Sequence, residues 1–137
     1  MTEFFASLYE LGDLFYFDGF SNDMYDYDIY MTIGWFLFAS SLVMMFVYYI
    51  VIDHPKFSRW FHWALWILIL MIMNFGFAYY WSSSELGFVY EDIGADLPYS
   101  NEFTNFSIVN AVWSMVFGFV FSIALKWRAV SARKTPF

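Results

Sequence analysis

Two amides, Asn74 and Asn110, interrupt long uncharged apolar runs, and any chemistry inside this chain has to begin with them. An amide in hydrocarbon is costly unless it is hydrogen-bonded. Each must therefore bond within a helix bundle or face a polar path. Asn110 heads a face on which Asn110, Ser114, Gly118 and Ser122 recur every four residues, with Ser107 and Ala111 beside it. Small residues on one face let backbones approach closely. Counted inward from the ends of their runs, Gly34, Asn74 and Asn110 share a depth of roughly 8–9 Å. Gly34, Asn74, Asn110, Ser114, Gly118 and Ser122 are thus the candidate helix-packing or pore-lining residues.

Other chemistries find little support. His54 and His62 are the only histidines, and both fall near the start of the second apolar run. Haem or copper would call for histidines on facing helices inside the bundle, so no cofactor is expected and a redox role through His62 is a distant third reading. The chain has no cysteine, which removes disulfides and thiolate metal sites. Asp18, Asp23, Asp26 and Asp28 form a hard-oxygen cluster, but their spacing does not match a calcium loop and reads as a solvated acidic collar. No metal site is expected. Asn105-Phe106-Ser107 matches a glycan acceptor, yet lies where a membrane surface would exclude a glycan. With no nucleophile–base set, phosphate loop or zinc motif, the chain is not expected to be an enzyme.

The elements that carry these residues follow from hydropathy. Residues are 61% hydrophobic and 27% aromatic, well beyond a soluble domain of 137 residues. Three runs lack any charged residue: Ile29–Ile52, Trp60–Trp81 and Phe106–Leu125. Each is long enough to cross ~30 Å of hydrocarbon as a helix. The predicted fold is an all-α membrane protein with three transmembrane helices and an N-terminal amphipathic helix on the extracytoplasmic side. That last helix rests on the stripe Phe4, Leu8, Leu11 and Phe15, about four turns long, opposite Glu3, Glu10 and Asp13. Tyr48, Tyr49, Trp60, Trp63 and Trp66 crowd one interface. Asp53–Arg59 is short enough to make spans one and two a tight hairpin.

Residues 1–28 read as an acidic extracytoplasmic segment and 29–137 as the three-helix domain. Within it, 82–105 is the outer loop, its apolar residues folding back onto the N-terminal helix, and 126–137 a basic tail. All six bases, Lys56, Arg59, Lys126, Arg128, Arg133 and Lys134, fall after span one or after span three, on one side. Twelve of the thirteen acids fall on the other, Asp53 excepted. Positive-inside bias then puts the N-terminus outside and the C-terminus in the cytoplasm of a cell's inner (plasma) membrane. The acidic face argues against nucleic acid as a partner. Membrane lipid, other transmembrane subunits or copies of the chain itself remain. The expectation is a non-catalytic subunit (scaffold, anchor or accessory component) of a larger membrane complex. The alternative is a homo-oligomeric channel with an acidic outer vestibule, lined by Asn74, Asn110 and the small-residue face.

Overall fold

In a computed structural model that describes residues 1–11, 15–52, 56 and 59–128, the chain folds into helices throughout, with no strand among these residues. The elements are α1 (Thr2–Glu10), α2 (Phe20–Asp26), α3 (Ile29–Phe46) with a π-helical continuation (Val47–Ile52), α4 (Trp60–Asp92) and α5 (Ser100–Lys126). Three of these helices are long and apolar enough to cross a membrane: Ile29–Ile52, Trp60–Asp92 and Ser100–Lys126. By length and composition the chain is a multi-pass membrane protein.

Each long helix buries one narrow face and exposes the rest as aliphatic and aromatic surface. On α4 the buried face is Ile67, Leu70, Asn74, Ala78, Ser82 and Leu86. On α5 it includes Phe103, Ser107, Asn110, Ser114, Gly118 and Ser122. Both faces repeat every four residues over 70–86 and 110–122, and they pack against each other in the most extensive helix contact in the bundle. A Cβ on Gly118 would sit 2.9 Å from Ile67 Cδ1 and Leu70 Cδ2, so that position is small because α4 crosses there.

The segment read as an outer loop over 82–105 is mostly helix. α4 continues to Asp92 and α5 begins at Ser100, leaving 93–99 as the connection. Ser82 and Ser83 prolong α4 because their hydroxyls bond back to the carbonyls of Ala78 (2.6 Å) and Tyr80 (3.2 Å) rather than competing with the helix. Leu86 extends the buried face by one more turn. The helix stops only at Gly94, whose φ of +66° an L side chain rarely adopts. The eleven residues of α4 past Trp81 add about 16 Å, which carries it well beyond ~30 Å of hydrocarbon.

The N-terminal helix is shorter than its stripe suggested and uses another face. It ends after Glu10, with Leu11 left-handed at φ 43°, so the helical phase joining Phe4 to Phe15 is lost. Phe5, Ala6 and Tyr9 are buried, while Phe4, Leu11 and Phe15 are exposed. Asp13 lies outside the described residues. Ser21 and Asn22 lie in the first turn of α2, which is entered through Gly19 at φ +83°. The turn joining spans one and two, with Asp53 and His54, lies largely outside the described residues, as do Arg133 and Lys134.

Lys56, Arg59, Lys126 and Arg128 cluster at the end of the bundle where α4 starts and α5 stops. The other end, built by α1, α2 and the extensions of α4 and α5, carries acids and no described Lys or Arg. The bundle thus has a basic end and an acidic end.

Candidate functional site: the buried polar network

Asn110 sits at the junction of three elements. Its Oδ1 accepts the Tyr9 hydroxyl from α1 at 2.8 Å, and its Nδ2 donates to the backbone carbonyl of Asn74 in α4 at 2.9 Å. Tyr9 reaches this position because its ring stacks on Tyr30 (centroids 5.6 Å apart) and meets Phe106 edge-on at 4.9 Å. Burial, with Tyr30 nearby, pushes the Tyr9 phenol well above its ordinary value, which keeps it a neutral donor. One residue back, the carbonyl of Leu8 accepts the Trp113 indole N–H at 2.9 Å.

The Asn74 side chain points toward the basic end instead. Its Nδ2 donates to Ser40 Oγ and to the Leu70 carbonyl, each at 3.0 Å, and the Ser40 hydroxyl donates on to Leu37 at 3.2 Å. Asn74 and Asn110 are both fully buried (0% exposed), and all the polar partners above lie within one chain. The two amides share a depth, as counting residues suggested, but meet through a backbone carbonyl rather than side chain to side chain.

Gly34 takes a different part. A Cβ there would drive into the Phe5 ring, so its smallness accommodates α1 rather than a neighbouring long helix. Ser40, not Gly34, is the α3 residue that faces Asn74. Ser114 is buried and returns its hydroxyl to the Ala111 carbonyl at 2.7 Å. Ser122 is a second polar node, accepting the Trp63 indole N–H at 2.8 Å and bonding the Tyr49 hydroxyl from the π-helical turn. Of the six candidates, Asn74 and Asn110 are in direct contact, Gly34 joins them through α1, and Ser114, Gly118 and Ser122 line the α4–α5 seam.

A third cluster lies at the acidic end. Asp23 Oδ2 accepts the hydroxyls of Tyr90 (2.8 Å) and Tyr99 (3.1 Å), which are themselves 3.1 Å apart. The contact with Tyr90, with added desolvation and the Asp23 carboxylate, pushes the Tyr99 phenol upward. The four collar aspartates do not converge: Asp18 takes Asn22, Asp23 takes the tyrosines and Asp28 takes Thr2. Among the described residues no group of three or more His, Asp or Glu side chains is disposed to hold a metal ion. His62 lies in the first turn of α4, its ring against Phe61, and His54 is outside the described residues.

Tyr9, Ser40, Tyr49, Trp63, Asp23, Tyr90 and Tyr99 were not singled out by sequence as partners. Tyr49 and Trp63 carried a signal, being amphipathic aromatics near the membrane surface, but that signal reads as an interface belt. Of the apolar residues expected to fold back from 82–105, Leu86 and Phe103 are buried with Phe5 and Tyr9, and Leu97 packs on them; Phe88 and Ile93 are exposed. Comparison with protein-family models, curated proteins and solved structures finds no match for this chain.

Proposed function

We propose that this chain is a non-catalytic subunit of a larger membrane complex, presenting its acidic end to a partner. In this reading it resides in a cell's inner membrane with the N-terminus extracytoplasmic and the C-terminus cytoplasmic, as the segregation of bases from acids favours. The observation that carries it is the closure of the polar interior: Asn74, Asn110 and Ser122 find their partners inside the protomer. A channel lined by those residues would need them to face a path, and their burial lends that alternative no support. The small-residue face likewise meets α4 of the same chain, so association with other subunits falls to the exposed aromatic flanks and the acidic cap.

The test is gentle detergent extraction from the native membrane, with the mass of the particle and the identity of everything that copurifies. Larger unrelated subunits in fixed ratio are the expected result. A particle made of this chain alone would overturn the proposal. Sidedness is checked separately: with no native cysteine, a single Ser83→Cys should be labelled by an impermeant maleimide from outside the cell and not from the cytoplasm.

A further inference from the structure

An apolar groove of about 570 Å³ runs along the flank of α5. Leu11, Phe15 and Phe17 form one wall, and Val109, Val112 and Val116 lie along the other. From Asn105 at its mouth to Val116 at its foot it extends about 16 Å, close to the depth of one leaflet's hydrocarbon, half of ~30 Å. Below Asn105 the described lining residues offer no free side-chain polar group, because the one indole N–H there, on Trp113, is already donated to Leu8. A single extended hydrocarbon chain matches that length and that apolar lining.

The rim selects what that chain belongs to. Glu102 lies one helical turn above Asn105 on the same side of α5, and the exposed Asp18 follows Phe17 on the opposite wall. The described bases Lys56, Arg59, Lys126 and Arg128 are all at the other end of the bundle. A rim of this sign repels an anionic headgroup and attracts an ammonium. We infer that the groove holds one acyl chain of a phospholipid with an ammonium-bearing headgroup, of the phosphatidylethanolamine kind, from the leaflet at the acidic end.

The test uses the full chain in nanodiscs of equal phosphatidylethanolamine and phosphatidylglycerol, extracted and weighed by native mass spectrometry. One retained phosphatidylethanolamine is expected. Val112→Trp and Ile108→Trp start from exposed groove positions (47% and 50%) and plug it without entering the bundle core. Each should lower retention to that of bulk nanodisc lipid, because the indole fills the space the chain would take, with the thermal melt unchanged. Glu102→Lys should keep a lipid bound but turn the preference toward phosphatidylglycerol. Wild-type chain that retains no lipid, or both lipids equally, overturns the proposal, as does full retention in both tryptophan variants. The measurement needs only the isolated chain, so it stands or falls independently of any partner subunit.

Discussion

The two ends of this bundle are held together differently. At the acidic end, hydrogen bonds join parts of the chain far apart in sequence: Tyr9 to Asn110, Leu8 to Trp113, Thr2 to Asp28, and Asp23 to Tyr90 and Tyr99. Phe5, Tyr9, Phe20 and Met24 then pack among Leu86, Phe103 and Phe106. At the basic end Ser122 is a node of the same kind, amid Met45, Tyr48, Ile67 and Leu70. Lipid tails are as apolar as leucine, so between spanning helices shape fit and a few polar contacts must serve where water would otherwise drive association. At the acidic end those contacts fix two further elements, α1 and α2, in register against the long helices. The polar contacts of the acidic end therefore place α1 and α2, whereas Ser122 at the basic end ties the long helices to one another.

That contrast is open to attack by substitution. The largest effect is expected from Gly34→Leu, which sets a branched side chain where the Phe5 ring lies. Overpacking of this kind costs about 1–3 kcal/mol and more where nothing can yield. Here α1 should detach, seen as rapid hydrogen exchange over residues 2–10 while the α4–α5 seam stays protected. Asn110→Leu comes next. It strands the buried Tyr9 hydroxyl and removes the donor to Asn74, for a loss of about 1–3 kcal/mol in reversible unfolding. Ser122→Ala should cost less, about 1 kcal/mol, because it removes one hydroxyl, bonded to Trp63 and Tyr49, and leaves α1 and α2 in place. If it destabilises as much as Asn110→Leu, the asymmetry between the ends is gone. Tyr99→Phe should be smallest, at most about 0.5 kcal/mol by thermal unfolding, since Asp23 keeps Tyr90 and the cluster is partly solvated.

The spanning helices were legible because each is a long uncharged run, and the shared depth of Asn74 and Asn110 followed from residue counting alone. The four-residue repeat on α5 stood out in the sequence as a face of small residues. Its partner did not, because the matching face on α4 mixes Leu70, Asn74, Ala78, Ser82 and Leu86, too varied in size to stand out. The acids and glycines of 82–105 looked like loop, yet Gly87 is tolerated inside α4 in open space and the serines bond back to their own helix. The partner of Asn110 was hidden for another reason. Tyr9 is 101 residues away, on a face of α1 opposite in character to the stripe that periodicity highlights. Periodicity finds the more hydrophobic face, and here the face that packs is the one carrying a hydroxyl.

The most direct measurement of this account is a double-mutant cycle on Tyr9→Phe and Asn110→Ala in the full chain, read as unfolding free energy in mixed micelles. If the polar interior is architecture closed by the N-terminal helix, the two substitutions should couple by about 0.6–1.7 kcal/mol, the range of hydrogen bonds between membrane helices. Additivity within about 0.3 kcal/mol would mean that Asn110 does not depend on Tyr9, and would contradict the claim that its amide is satisfied within the protomer.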